Sequence, residues 1–451
     1  MADDVPPSPS DATARARRQT LFVLWTTYGS FYLCRANFGP ARLSMQAALG
    51  VSAVEIALIL GAVKLGYALG QLVNGQLTER FGPRPILAAG MLGSAAATLA
   101  LAAAPWIAGL PGVGGGASSI AAAVSSVLAP AGEGTSATPV FGVLLVLAFV
   151  NGFFQSGGWP PCVKIAGRWF PVERRGSTMG VLGTSLTLGS AIVIAVVGVL
   201  LSVFGGWRVA FVLPAALLAL SFVHTRLRLK ERPPDAADGP VAPPVLRLPI
   251  REALAATLGN PRIWILALGL FGLDAVRYGF LDWAPGHLAD VQHSSAWASA
   301  MKAAVLPLAG AVGALSSGAI SERYFQSRRG PVCAILMAAV GVLTLTYRVA
   351  VEVGPVATVV CLALVGFCLF GAQILLVGTA AQDFARRGAT AAAAGFVDFV
   401  GHMGAFTGDY VTGRLYRSHG WGWALTAWAM AAFAAAALVS TLWSARPTRA
   451  T

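Results

Sequence analysis

Ionisable and aromatic residues interrupt several long apolar stretches of this sequence. Tyr28, Tyr32 and Arg35 are spaced four and three residues apart, which puts them on one face of a helix. Arg277 lies in another apolar stretch, one helical turn after Asp274. A guanidinium group is a planar fork of N–H donors that matches phosphate and carboxylate oxygens. Two such forks facing one cavity predict a site for an anion of more than one charge, with phosphate as the natural candidate.

Other charged residues in the apolar stretches have both a functional and a structural interpretation. Lys64 would add a third positive group to the anion site, or its amine would reach toward the membrane surface. His402 would tune charge and selectivity, or it would only pair with Asp398 four residues earlier. Asp282, near a helix end, is interpreted as holding a neighbouring helix. Asp274 could neutralise the arginine that follows it by one turn.

Two short strings at predicted helix ends carry acid–base pairs, TERF at 78–81 and SERY at 321–324. Their charged residues are interpreted as gating or latch groups that bind no substrate: Glu79, Arg80, Glu322 and Arg323. The five cysteines lie in or beside apolar stretches without a CxxC pair, so neither a metal site nor a disulfide framework is expected. The phosphate-loop pattern GxxxxGK[ST] is missing from the sequence, and no nucleophile–base set suggests an enzyme. We therefore expect no cofactor.

The composition is typical of an integral membrane protein. The chain has 451 residues, of which 56% are apolar and 11% charged, and its mean hydropathy is +0.69. About a quarter of the residues of a soluble protein are charged, so this chain cannot solvate a globular surface. Soluble enzymes, disordered proteins and secreted disulfide scaffolds are excluded. The net charge of +13 then has two explanations, nucleic-acid binding or membrane topology.

Twelve apolar stretches of about 20 residues, the length that crosses a bilayer, predict an all-α membrane protein with twelve transmembrane helices. Most Lys and Arg residues fall in the segments that share a side with the N-terminus, which favours cytoplasmic termini over nucleic-acid binding. The predicted parts are a disordered cytoplasmic tail (1–20), an N-terminal six-helix half (21–229) with a flexible outer loop (106–138), a cytoplasmic linker (230–258), a C-terminal six-helix half (259–443) and a cytoplasmic tail (444–451).

The two predicted halves repeat each other. TERF at 78–81 parallels SERY at 321–324, and RRGST at 174–178 parallels RRGAT at 386–390. Arg35 and Arg277 correspond as well, since each stands three residues before a phenylalanine. Two pseudo-symmetric six-helix halves joined by a charged linker describe the major facilitator architecture, in which substrate binds near the membrane midplane between the halves.

Three longer strings resemble one transporter family: FYLCRANF at 31–38, GWPPC at 158–162 and RYGFLDWAP at 277–285. They are similar to the organophosphate:phosphate antiporters of the major facilitator superfamily. This family includes the glycerol-3-phosphate, hexose-6-phosphate and phosphoglycerate transporters and the glucose-6-phosphate transporter of the endoplasmic reticulum. The similarity runs from about residue 20 to 440, broken mainly by 106–138.

The resemblance implies roles for individual residues. Arg35 and Arg277 match the family's two phosphate-binding arginines, and Tyr28 and Tyr32 match aromatic positions near the phosphate. His402 falls where the glycerol-phosphate carrier has a tyrosine. Two further residues would lie on the fourth helix beside the cavity, Gln155 and Trp159.

Departures from the family pattern leave the organic part of the substrate open. Gln71 stands where the family usually has a lysine, although Lys64, two turns earlier on the same face, could supply that charge. Leu186 replaces a histidine of the glycerol-3-phosphate carrier, and Asp274 replaces a tyrosine. Glycerol 3-phosphate is therefore a poor candidate.

The resulting prediction is a secondary transporter of a bacterial inner membrane that exchanges an organic phosphate ester for inorganic phosphate by alternating access. Its expected partners are the phosphorylated anion, inorganic phosphate and the lipid bilayer, and it would function as a monomer. Two alternatives stay open. One is a membrane sensor of a phosphorylated metabolite, and the other is a proton-coupled carrier of another organic anion that uses Asp274, Asp398 or Asp409 as its proton site.

Overall fold

The computed structural model describes residues 11–128, 135–233, 247–386 and 388–447, and every regular element among them is helical. The helices before the linker are α1 (Asp11–Phe31), α2 (Phe38–Leu49), α3 (Ala53–Phe81), α4 (Pro83–Ala102), α5 (Ala104–Ala108), α6 (Val113–Leu128), α7 (Pro139–Gln155), α8 (Trp159–Trp169), α9 (Arg175–Phe204) and α10 (Val209–Arg228). The later helices are α11 (Ile250–Leu258), α12 (Pro261–Tyr278), α13 (Ala284–Gln292), α14 (Ala296–Tyr324), α15 (Arg329–Val353), α16 (Pro355–Ile374), α17 (Ala381–Phe384), α18 (Thr390–His419) and α19 (Trp421–Ser440).

The all-α membrane fold is confirmed. Ten helical segments of the described chain are long and apolar enough to cross a membrane. The other two of the twelve predicted spans correspond to α1 and α18, which carry more polar and charged residues and fall outside these ten. Both nevertheless pack as the rest do, α1 against α9 and α10, and α18 against α12, α19 and α3.

The first predicted span differs from the structure at both ends. Helix α1 begins at Asp11, so the part of the predicted disordered tail from 11 to 20 is helical, and residues 1–10 lie outside the described residues. Alanine and arginine in this stretch are strong helix formers, which outweighs its polar composition. The helix ends at Phe31, tightens into a 3₁₀ turn over Tyr32–Cys34, and the chain resumes as α2.

Two segments predicted as irregular contain helices. Within 106–138, α6 packs closely on α7, because a Cβ atom at Gly142 would stand 1.9 Å from the Ala117 carbonyl oxygen. Alanine-rich sequence suggested flexibility, but alanine is also the best helix former. The linker 230–258 ends in α11. Residues 129–134 and 234–246 of these segments lie outside the described residues.

The connections between helices divide into two faces. Gly330, at the start of α15, lies against the Leu442 carbonyl just after α19, and the Trp169 indole donates to the Lys230 carbonyl at 2.9 Å. These contacts gather the linker, the α8–α9 and α14–α15 turns and the end of α19 on one side, named here the linker face. The assignment of this face to the cytoplasm stays a prediction.

Irregular backbone occurs where the predicted anion site lies. Arg35 directly follows the 3₁₀ turn that ends α1. Two π-helical segments, Gly279–Trp283 and Leu375–Ala380, follow Arg277 and Gln373 by one or two residues. Such π-helical turns are frequent at functional sites, where they change the direction of side chains. Similar breaks are expected where membrane helices line a cavity and not lipid.

Candidate substrate site between the two halves

A cavity of about 60 Å³ lies between the two halves. The N-terminal half lines it with Tyr28, Tyr32, Arg35, Tyr67 and Trp159. The C-terminal half contributes Arg277, Tyr278, Phe370, Gln373, Asp398 and His402. This volume is several times the minimum of about 10–15 Å³ that one water molecule needs, so the cavity has room for a small polar ligand. The sequence-predicted tyrosines, arginines, Trp159 and His402 therefore do come together.

Arg35 has no carboxylate partner among the described residues. Its Nε donates to Gln155 Oε1 at 3.1 Å and its Nη1 to the Tyr32 hydroxyl at 3.4 Å. The guanidinium carbon stands 4.2 Å from the centre of the Tyr67 ring and 4.8 Å from that of Tyr32. Its Nη2 atom is buried without a hydrogen-bond partner in the part of the chain that the structure describes. The cavity thus contains a guanidinium charge that no direct ion pair neutralises.

Arg277 is in the opposite situation. Its Nε donates to Asp274 Oδ1 at 2.8 Å, and both side chains are buried. With the Gln373 amide turned so that its oxygen faces the guanidinium, that oxygen accepts from Nη1 at 3.2 Å and Nη2 at 3.3 Å. The ring of Tyr278 stacks at 4.4 Å. Asp274 therefore neutralises Arg277, and the two arginines of the repeat are not electrically equivalent.

Gln155 supports the site from behind. Its side chain is fully buried, and its Nε2 donates to the Phe31 carbonyl at 3.0 Å and to Ser94 Oγ at 2.7 Å. Because this leaves Oε1 pointing at Arg35, the amide fixes the guanidinium in place. Gln155 was predicted to contact substrate, but its contacts make it a positioning residue.

Asp398 and His402 form one wall of the cavity. His402 Nδ1 lies 3.6 Å from Asp398 Oδ1 and 2.9 Å from the Asp398 backbone carbonyl, to which it donates. Its ring stands 4.9 Å from that of Tyr67, and its Nε2 is 3.5 Å from the Tyr278 hydroxyl. Asp398, which the sequence analysis paired with His402, thus lies beside that histidine and also lines the cavity.

Lys64 is not brought to the cavity wall. Its Nζ lies 2.6 Å from Asp282 Oδ2 and 3.6 Å from Asp409 Oδ2, both in the other half. It also stands 5.0 Å from the centre of the Tyr278 ring, so the cluster borders the cavity. The lysine and Asp282 side chains are 44% and 41% exposed. Asp282 does hold a neighbouring helix, as predicted, and the helix is α3 of the opposite half.

A buried carboxylate closes the linker face between α3 and α18. Glu79 forms an ion pair with Lys164 of α8 and accepts from the backbone N–H groups of Ala391 at 2.6 Å and Ala392 at 3.3 Å. These amides belong to the first turn of α18, where unpaired N–H groups and the helix dipole favour an anion. Glu79 therefore joins the two halves, while Arg80 beside it is exposed.

A second buried network closes the same face between α9 and α14. Asp383 pairs with Arg175 and with Arg329, each at 3.0 Å. Glu322 accepts from the Ser177 backbone N–H at 3.0 Å and from its hydroxyl, and it lies 4.0 Å from Arg329. The prediction that Glu322 serves as a latch and not as a substrate ligand fits this position. Its neighbour in sequence, Arg323, is exposed and stacks on an adjacent ring.

Sequence reasoning missed several residues of the site and of the closure. Tyr67 stands one turn after Lys64 on α3, and Gln373 is a polar residue near the end of a long apolar stretch. Both signals were available in the sequence. The pairing of Asp383 with arginines of both halves had no local signal, since its partners are 208 and 54 residues away. Among the described residues no group of His, Cys, Asp and Glu could hold a metal ion.

Comparison with known proteins identifies relatives along most of the chain. A family model described as Major Facilitator Superfamily matches residues 24–409. A glycerol-3-phosphate transporter of Bacillus subtilis (strain 168) is 28% identical, over 87% of this chain and 84% of its own length. The membrane sensor protein UhpC of Escherichia coli (strain K12) is 24% identical, over 90% of this chain and 87% of its own length.

The fold has solved counterparts. The proton:xylose symporter XylE bound to 6-bromo-6-deoxy-D-glucose superposes with a TM-score of 0.72 at 11% identity. The alignment covers 94% of this chain and 95% of the symporter chain. At this identity the likeness concerns the arrangement of helices alone.

Proposed function

Because the chain belongs to the major facilitator superfamily, whose members are membrane transporters and not enzymes, we propose that it exchanges an organic phosphate ester for inorganic phosphate across a bacterial inner membrane. The observation that carries the proposal is the Arg35 guanidinium. It is fixed by Gln155 at 3.1 Å and borders the cavity between the halves without a carboxylate partner in the described chain. A buried uncompensated cation is costly unless an anion joins it.

The phosphoryl group is bound by Arg35 first and by Arg277 second. Arg35 offers an unpaired Nη2 and an Nη1 whose bond to the Tyr32 hydroxyl is long, at 3.4 Å. Arg277 contributes once Gln373 or Asp274 yields one of its N–H groups. Tyr32 and Tyr28 add hydroxyl donors from the opposite wall. A resemblance to the glycerol-3-phosphate transporter of Bacillus subtilis supports a phosphorylated substrate.

Alternating access uses the two sets of contacts between the halves. The linker face is closed by buried contacts between the halves, from the Ala391 amide to Glu79 and from Arg175 to Asp383. The opposite side of the cavity carries the Lys64–Asp282 pair, which is exposed and therefore weaker. The bound anion neutralises Arg35 and links it to the C-terminal half, so the loaded carrier changes conformation more readily than the empty one. This coupling makes exchange the favoured mode.

The test is release of phosphate from loaded vesicles. The protein is reconstituted in liposomes that contain ³²P-phosphate, and external phosphate esters and phosphate itself are screened for stimulated release. The proposal predicts that external phosphate and at least one ester stimulate release, with one internal phosphate released for each external molecule taken up. Release that follows a pH gradient and is independent of internal phosphate would instead select a proton-coupled carrier.

A second candidate is a membrane sensor of a phosphorylated metabolite, which the similarity to UhpC favours. The same cavity would then bind its ligand without moving it across the membrane. Protection of the purified protein against heat by a phosphate ester, together with no release from vesicles, would favour the sensor. Release with the same ester at the same concentration would exclude it.

A further inference from the structure

The charges around the cavity sum to zero before any substrate enters. Arg35 and Arg277 each contribute one positive charge. Asp398, which lines the cavity, and Asp274, which pairs with Arg277, each contribute one negative charge. A phosphate monoester brings about −1.5 to −2 charges at neutral pH. A binding site in the middle of a membrane protein therefore acquires a net negative charge unless a positive group enters with the ester.

The cavity offers unpaired groups of both signs. On the side of the N-terminal half, Arg35 Nη2 is a donor without an acceptor among the described residues. On the side of the C-terminal half, no hydrogen-bond donor of the described chain reaches the Asp398 carboxylate, and the nearest ring nitrogen, that of His402, lies 3.6 Å away. A ligand that satisfies both groups has an anionic end and a cationic end.

Aromatic rings form a large part of the cavity wall. Trp159 and Tyr28 line the cavity with their ring centres 5.0 Å apart, and no cation of the described chain lies over the Trp159 indole. The face of an indole is the aromatic surface that binds cations most strongly. The wall of the N-terminal half therefore also offers a ring face to a cationic ligand.

The acidic cluster beside the cavity has the same preference. Lys64, Asp282 and Asp409 together carry one net negative charge and are exposed to solvent by 44%, 41% and 29%. They stand between the cavity and the side opposite the linker face, next to Tyr278. A negative entrance repels a dianion more strongly than a ligand whose ammonium group cancels part of the phosphoryl charge.

We propose that the preferred substrate is a zwitterionic phosphate ester, in which Arg35 binds the phosphoryl group and Asp398 binds an ammonium group on the organic part. The inference deepens the proposed exchange function and rests on it. Asp274 contributes its charge to the site but no contact with the ligand, because it is not among the residues that line the cavity and its Oδ1 accepts from Arg277 Nε.

The test compares two esters that differ only in the cationic group. External 2-aminoethyl phosphate and 2-hydroxyethyl phosphate are titrated against ³²P-phosphate release from reconstituted vesicles. A hydrogen bond to a charged group corresponds to about a ten- to hundredfold change in affinity, so the amine should act at about ten- to hundredfold lower concentration. Asp398→Asn should remove this preference. Asp290→Asn is the matched control, because this exposed carboxylate binds Tyr416 and Trp421 away from the cavity.

Each outcome decides between distinct conclusions. Release by neither ester nor by phosphate contradicts the exchange function itself. Equal release by both esters leaves exchange standing and overturns the zwitterion proposal, as does a preference that Asp398→Asn retains. If release by the hydroxyl ester rises on acidification and the amine is not preferred, protons supply the missing positive charge. This result also overturns the zwitterion proposal. A size-exclusion profile in detergent that matches the wild type verifies that Asp398→Asn is folded, and the wild-type comparison decides alone if it is not.

Discussion

Replacing Arg35 with lysine is the sharpest test of the phosphoryl site. The substitution keeps the positive charge but removes the planar fork, because an ammonium group is a point donor. In the structure the fork is fixed at two atoms, Nε on Gln155 and Nη1 on Tyr32, while Nη2 faces no partner in the described chain. A lysine amine cannot bind Gln155 and the phosphoryl group in this geometry at the same time.

The expected loss follows from the bonds removed. One hydrogen bond to a charged group is worth about 1.5–3 kcal/mol. Arg35→Lys forfeits about one such bond, which corresponds to a ten- to hundredfold weaker phosphate affinity. Arg35→Ala forfeits about two, together with the charge, and should weaken it by about two to four powers of ten.

The assay is the concentration dependence of ³²P-phosphate exchange in vesicles, with protein content measured in the same preparation. Arg208→Lys is the matched control, because Arg208 lies between Trp106 and Trp207, each at 4.9 Å, and donates to the Ala102 carbonyl away from the cavity. If Arg35→Lys exchanges phosphate with an affinity within about twofold of the wild type, the clamp geometry is refuted.

Three further predictions concern charges outside the Arg35 fork. Arg277→Ala should abolish exchange and also lower the folded yield, since it leaves buried Asp274 without its partner at a cost of about 3–5 kcal/mol. Adding Asp274→Asn should restore the yield in detergent but not exchange. Exchange by the single variant would contradict the role of Arg277. Lys64→Gln should change the exchange rate by no more than about fivefold, as exposed pairs are worth about 0–1 kcal/mol, and a hundredfold loss would mean that Lys64 reaches the substrate. Glu79→Gln should open the linker face, so that a cysteine introduced at buried Ala392 reacts with a membrane-impermeant maleimide from that side. The control carries the same cysteine with the exposed-site substitution Glu173→Gln. Labelling no greater than in this control would refute the latch.

The difference between Arg35 and Arg277 illustrates how far sequence pattern reaches. Internal repetition correctly puts the two arginines at equivalent positions, and both line the cavity. The repeat carries no information about neutralisation, which depends on one aspartate at 274 and on the amide of Gln373 from another helix. The electrical asymmetry of the site is therefore a tertiary property.

Lys64 illustrates where the argument from helix periodicity fails. Its depth in an apolar helix suggested a functional charge, and the family pattern suggested that it replaces a lysine lost at Gln71. In the structure its amine pairs with Asp282, a residue 218 positions away, and stays off the cavity wall. Periodicity defines the face of one helix, whereas the helix that faces it is decided by packing.

The sequence by itself determined that the chain is helical, lies in a membrane and repeats in two halves. Those properties follow from transfer free energies and helix periodicity, which are sums over neighbouring residues. The tertiary structure alone decided which charges meet, including Glu79 at the start of α18 and Asp398 at the cavity wall. Electrostatic energy depends on distance through space and on burial. Residues far apart in the chain come close together and become buried only when the two halves pack against each other.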